Sequence, residues 1–258
     1  MNILCKNLIL YIIKFLDGKN MLSLLSTCKK YYSYLVDITE IELKNLPKNP
    51  KILFKFKNIK KLIVNHINIE GDCYIEIPEY VKKINIHYNY IKFFEFHNKI
   101  DKLIINNENG GLHPCLFNFR IPKTIKKLKI IANTNNKYDI PNNYMSKCSI
   151  EKLNCMVYSF KEFSPTIKYA KCRYVIKIGR DMEFLSGIFM GPYDKKIKTF
   201  KINGIFKFLE KIDLRNITNI IFNKIESYPE CEYLFDKNCN ITFVKCHKNF
   251  EEFINSKR

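Results

Sequence analysis

A short apolar pattern recurs nine times along the chain. It reads ITEIEL from Ile38, IKKLIV from Ile59, VKKINI from Val81, IDKLII from Ile100, IKKLKI from Ile125, IEKLNC from Ile150, IKYAKC from Ile167, IKTFKI from Ile197 and ITNIIF from Ile217. Each copy is apolar at its first, fourth and sixth positions. The starts lie roughly 17 to 30 residues apart, a period at which one unit cannot bury its apolar face alone and successive units must stack. On a strand the fourth and sixth residues share one face, and the third and fifth share the other. The fourth column runs Ile41, Leu62, Ile84, Leu103, Leu128, Leu153, Ala170, Phe200 and Ile220. The sixth runs Leu43, Val64, Ile86, Ile105, Ile130, Cys155, Cys172, Ile202 and Phe222, which accounts for two cysteines without any chemistry. Nine rungs stacked as a parallel sheet at about 4.8 Å would span roughly 40 Å.

The spacing is that of leucine-rich repeats and their relatives. Two rungs also carry a lead-in: Ile77-Pro78-Glu79-Tyr80 precedes VKKINI, and Phe117-Asn118-Phe119-Arg120-Ile121-Pro122-Lys123-Thr124 precedes IKKLKI. The second resembles the FNIP repeat, a leucine-rich-like unit of F-N, a short gap, I-P and an apolar-K-x-L segment. Between Ile167 and Ile197 lies IKIGRDMEFLSGIFMGPYDKK, whose three glycines predict an irregular or enlarged rung with a short helix from Asp181.

Residues 1–37 follow a different period. Leu8, Ile12 and Phe15 share one helical face, with Ile9, Ile13 and Leu16 beside them. Asp17-Gly18 breaks that helix, Asn20 is placed to cap a second, Met21 to Cys28 supplies the second apolar stripe, and Lys29 to Val36 continues as a third short helix. Read from the residues alone, this is a three-helix unit that covers the first rung. It also resembles an F-box, carried by Leu4, Leu8, Ile9, Ile12, Ile13, Phe15, Leu16, Met21, Leu22, Leu25 and the closing Cys28-Lys29-x-Tyr32. The family's early proline is Cys5 here and its acidic residue is Asn7. An F-box followed by such repeats in a Lys-, Asn- and Ile-rich chain resembles the F-box and FNIP-repeat proteins of amoebae and of giant DNA viruses. That resemblance implies a non-catalytic substrate-recognition adaptor of a cullin ubiquitin ligase in the cytoplasm or nucleus. The F-box would dock a Skp-type subunit through Leu4, Cys5, Ile9, Leu22 and Leu25.

Charge and cysteines bear on other classes. The formal charge is +19, yet only five of the cations are arginine, the planar fork that base edges and phosphates favour, so the composition argues against a stand-alone nucleic-acid binder. AT-rich codons would produce the same Lys, Asn and Ile excess. The ten cysteines form no C-x-x-C pair, and Cys231, Cys239, Cys246 and His247 match no zinc-knuckle spacing, so no metal or cofactor is expected. The apolar run Leu8 to Ile13 is too short for a signal peptide or a membrane span. The five histidines show no ligand spacing, and Gly110-Gly111 reads as a turn rather than a phosphate loop, so no catalytic constellation is expected.

The expected architecture is an α+β repeat: a three-helix F-box at 1–37, then a leucine-rich-repeat-like solenoid with a parallel sheet at 38–258. Its outward third position is lysine in five successive rungs, Lys61, Lys83, Lys102, Lys127 and Lys152, flanked by Asn65, His87 and Asn106. These eight residues are the expected substrate face, suited to a protein with an acidic or phosphorylated segment.

Overall fold

The computed structural model describes residues 6–12, 16, 18–27, 33–43, 50–65, 74–107, 122, 124–132, 139–140, 149–205, 209 and 211–257. Its contacts divide the chain into two compact units, residues 1–108 with 118–125, and residues 109–117 with 126–258.

Unit one opens with helices α1 (Lys6–Ile12) and α2 (Gly18–Ser26) and a 3-10 turn at Ser33–Asp37. Strands β1 (Glu40–Leu43), β2 (Lys61–Val64), β3 (Ile75–Glu76), β4 (Lys83–His87), β5 (Phe94–Glu95) and β6 (Lys102–Asn107) follow. Four of these pair in parallel in the order β1-β2-β4-β6, and β3 pairs with β5 in a small second sheet. The connections include 3-10 turns at Pro50–Lys55 and Tyr88–Phe93.

Unit two holds β7 (Lys127–Ala132), β8 (Asp139–Ile140), β9 (Lys152–Glu162), β10 (Tyr169–Lys177), β11 (Met182–Phe189), β12 (Ile197–Ile205), β13 (Lys211–Asp213), β14 (Ile217–Asn223), β15 (Glu232–Leu234), β16 (Asn240–Val244) and helix α3 (Lys248–Lys257). Its main sheet is parallel in the order β7-β9-β10-β11-β12-β14-β16, with β8 against the second half of β9 and β13 paired to β15.

Both units follow one entry rule. A backbone carbonyl closes a tight turn ahead of several rungs: Val81 N–H donates to Pro78 O at 2.9 Å, Ile125 to Pro122 at 3.1 Å, Ile167 to Ser164 at 3.1 Å and Ile217 to Leu214 at 3.0 Å. The I-P lead-in is therefore a turn whose first carbonyl belongs to proline, and other residues serve where the motif is absent. In six rungs the carbonyl of the second position then accepts two N–H groups from the next rung, as Lys60 O does from Lys82 at 3.1 Å and Lys83 at 3.0 Å. Alternation along the strand sends the fourth and sixth residues inward, and the first residue is buried as well; in all nine predicted rungs none of the three is more than 5% exposed.

Two further rungs escape the pattern, each for a physical reason. The thirty residues between Ile167 and Ile197 divide evenly at Met182, whose rung pairs Leu185 with Phe200 and Gly187 with Ile202. The segment expected to be helical from Asp181 is strand β11, in which Leu185, Gly187 and Phe189, two apart, are buried. A glycine in the sixth column hides this rung, and only glycine fits there. A Cβ at Gly187 would lie 2.8 Å from the Cys172 carbonyl oxygen and 2.9 Å from that of Arg173. The last rung is one residue short: Cys239 takes the first position, while Ile241 and Phe243 pair with Ile220 and Phe222. α3 closes this end with Phe250, whose ring meets those of Phe222 at 5.0 Å and Tyr228 at 4.7 Å.

Among the described residues the N-terminal three-helix module is not seen. α2 begins at Gly18, so Asn20 lies inside the helix instead of capping it. The described part of the third expected helix, Ser33–Asp37, is a 3-10 turn, and residues 28–32 lie outside the described set. Ile9, Met21 and Leu25 are buried, and α2 packs against β1.

Replacing Gly187 with alanine is expected to lower stability by about 1–3 kcal/mol through overpacking against backbone. Gly204→Ala, whose Cβ would meet only Ile188 Cγ1 at 3.5 Å, is expected to be neutral or stabilising by up to about 1 kcal/mol. Urea denaturation of the two variants checks the contrast.

Candidate interaction face

The outward residues of the rungs carry the charge. In unit one the third positions are in direct register, Glu40 opposite Lys61, Lys61 opposite Lys83, and Lys83 opposite Lys102. Lys61 Nζ reaches Glu40 Oε1 at 2.8 Å, so the acidic first rung neutralises that end of the row. Two unit charges about 4.8 Å apart repel by roughly 0.9 kcal/mol in water, and long side chains splay to relieve part of it. Lys83 thus stands between two like charges.

The flanking predicted residues are brought to the same face. Asn65 Nδ2 donates to Glu42 Oε1 at 3.0 Å, His87 Nδ1 accepts from the Asn89 N–H at 3.4 Å, and Asn106 lies opposite His87 in register. All three are half-buried.

In unit two Lys127 pairs with Lys152, and Lys152 pairs with Tyr169. The Lys152 ammonium lies 4.6 Å from the centre of the Tyr169 ring, a cation–π contact that holds an exposed cation without a carboxylate. Phe184, Thr199, Asn219 and Asn240 continue the third-position row. Beside it Asn203 Nδ2 donates to Ser186 Oγ and Asn223 Nδ2 to Asn203 Oδ1, both at 2.9 Å, forming a polar ladder across three rungs. No family model, curated protein or solved structure matches the chain significantly.

The expected adaptor residues are placed differently. Ile9 and Leu25 are fully buried inside the chain, which leaves neither side chain open to a partner in this state. Leu22 lies in α2 with its side chain outside the described set, and Leu4 and Cys5 lie outside it altogether. Among the described side chains of α1, the exposed apolar ones are Leu8 at 42% and Tyr11 at 58%.

Tyr169 and Phe184 are functional candidates that the sequence reading left unnamed. Tyr169 was legible as the third residue of IKYAKC. Phe184 was hidden with its rung.

Burial raises the Cys172 thiol and the Tyr193 and Tyr233 hydroxyls, while the Arg215 guanidinium, chiefly through its hydrogen bonds, holds the Asp213 carboxyl low. A shallow groove of about 280 Å³ is lined by Lys196, Arg215, Asn216, Thr218, Asp236 and Asn238, but Arg215 is already engaged by Asp213, with Nε 2.9 Å from Oδ1. Among the described residues no three His, Cys, Asp or Glu side chains form a metal-binding group. Cys246 Sγ donates instead to Phe222 O at 3.3 Å, and Cys239 is buried. No helix among the described residues is long and apolar enough to cross a membrane.

His97 gives the rungs a pH dependence. Its Nε2–H donates to Pro78 O at 2.9 Å and its Nδ1 accepts from the Lys99 N–H at 3.0 Å, so the neutral ring satisfies both partners. Burial, the largest cause, holds its pKa below the ordinary 6.5, against a smaller upward pull from the Pro78 bond. A depressed folded-state value means that the unfolded chain binds the proton more readily. The stabilising contribution is therefore complete above about pH 6.5 and is lost as pH falls through the folded value. Urea denaturation between about pH 7.5 and 5.5 should show falling stability, and His97→Gln should flatten that part of the slope.

Proposed function

We propose that the chain is a non-catalytic binding solenoid which holds a protein with an acidic or phosphorylated segment across its outward strand face. The observation that carries this reading is the register itself. Lys61, Lys83 and Lys102 face one another on neighbouring strands, and so do Lys127 and Lys152. An anionic segment laid across the rungs relieves several repulsions at once, whereas any one exposed ion pair is worth only about 0–1 kcal/mol. The half-buried Asn65, His87 and Asn106 beside the lysines supply hydrogen-bonding groups for a polypeptide.

In this reading the N-terminal helices recruit a Skp-type subunit of a cullin ubiquitin ligase, and the solenoid presents its cargo for ubiquitin transfer. The accessible apolar contacts for docking are Leu8 and Tyr11, one turn apart on α1. A second reading, in which the helices only cap the first rung, is favoured by the complete burial of Ile9 and Leu25.

Charge reversal tests the face. A labelled glutamate-rich peptide is expected to bind the full chain at low salt, to weaken markedly at physiological salt, and to lose at least about tenfold in affinity on Lys61, Lys83 and Lys102→Glu. Undiminished, salt-insensitive binding by the folded variant contradicts the proposal. Co-purification separates the two readings of the helices: a recombinant Skp-type subunit should be retained by the unaltered chain and lost by Leu8→Asp with Tyr11→Asp. If the unaltered chain retains none, the capping reading stands.

A further inference from the structure

Unit two presents a surface that the lysine register of unit one does not explain. On its rungs the outward third and fifth positions carry Lys152, Lys171 and Lys201 together with Tyr169 and Phe184, and no carboxylate occupies either position on any of its seven main-sheet strands. Tyr169 lies directly opposite Phe184 on the neighbouring strand, and Lys171 and Lys201 lie on either side of Ser186 in the next row. Tyr169 is 38% exposed, and Phe184 is half-buried although its position points away from the core columns. Of the carboxylates at the second position, just outside the face, Glu183 is engaged by Lys198 at 3.7 Å.

We propose that this face of β9 to β12 binds single-stranded nucleic acid, with Tyr169 and Phe184 as platforms for bases and Lys152, Lys171 and Lys201 as contacts for phosphates. The inference goes beyond the protein-binding reading and does not rest on it, since neither ring has a part in that reading.

The rings decide between the two classes of polyanion. An aromatic ring carries a negative face and a positive edge, so the carboxylate of an acidic peptide gains nothing from lying on it. A base is planar and uncharged, and every base offers a π-face, so stacking is favourable and tolerant of sequence. A groove combining cations along the backbone path with rings for successive bases is the general arrangement for unspecific single-strand binding. The Lys152 ammonium now over the Tyr169 ring is no obstacle, because an exposed cation–π contact is weaker than a base stack and the displaced ammonium moves to a phosphate. The scarcity of arginine, which argues against readout of base edges, leaves this role open, since neutralising phosphates needs charge alone.

The test is fluorescence anisotropy of the full chain with labelled oligothymidylate of roughly 12 nucleotides, within the range that single-strand modules cover. Binding should weaken steeply with salt. Tyr169→Ala and Phe184→Ala should each lower the affinity about fivefold or more without changing the salt slope, and Phe184→Tyr should restore it. Lys171→Ala should weaken binding and reduce the slope. Lys83→Glu with Lys102→Glu should leave the effect of the ring variants intact, which separates this site from the peptide-binding reading. The proposal is overturned if the oligonucleotide does not bind. It is equally overturned if both ring variants, shown folded by circular dichroism, bind as well as the unaltered chain, or if a glutamate-rich peptide of equal charge competes as effectively as the oligonucleotide.

Discussion

Six rungs share a carbonyl at the second position that accepts two N–H groups from the rung that follows. Thr39, Lys60, Lys82, Lys126, Glu151 and Lys168 all play this part, with distances between 2.8 and 3.2 Å. The bond involves backbone only, so it fixes where the next strand starts without constraining which side chain stands there. Once the start is fixed, alternation places the fourth and sixth residues inward and the third and fifth outward. Core columns and surface rows are therefore two consequences of one backbone contact. A shift of one residue would exchange them, burying lysines and exposing isoleucines.

How much of this is legible in the chain follows from which positions that contact leaves free. The columns were readable because burial demands apolar residues at three fixed offsets, and even Ala170 and the two cysteines satisfy it. The rung at Met182 was unreadable because the sixth column there meets the Cys172 and Arg173 backbone, and glycine carries no apolar signal. The last rung was unreadable because its first and second apolar residues, Cys239 and Ile241, stand two apart instead of three. α3 went unassigned although its Phe250 and Ile254 stand at helical spacing and are both buried. At the other end the apolar stripes of α1 and α2 are real, but Ile9 and Leu25 turn inward, and periodicity alone cannot say whether a stripe faces its own chain or a partner.

The outward rows carry more individuality than the columns. Unit one offers a lysine row closed by Glu40 and flanked by amides and an imidazole, whereas unit two replaces lysine by Tyr169 and Phe184 and adds the Ser186–Asn203–Asn223 ladder. Each unit thus presents a cationic face with its own secondary chemistry. The lysine register was visible once the copies were aligned, but the aromatic pair needed the missing rung, because half of it lies there.

The account stands or falls on the parallel, in-register stacking of rungs that are distant in sequence. Spin labels on cysteines placed at Lys61 and Lys102, two rungs apart in unit one, measure it directly by electron paramagnetic resonance. The backbones should be roughly 10 Å apart at these positions, giving strong dipolar broadening, and labels at Lys61 and Lys83 should couple more strongly still. Labels at Lys61 and Lys102 that are separated by more than roughly three times that rung-to-rung estimate would contradict the fold and the faces derived from it.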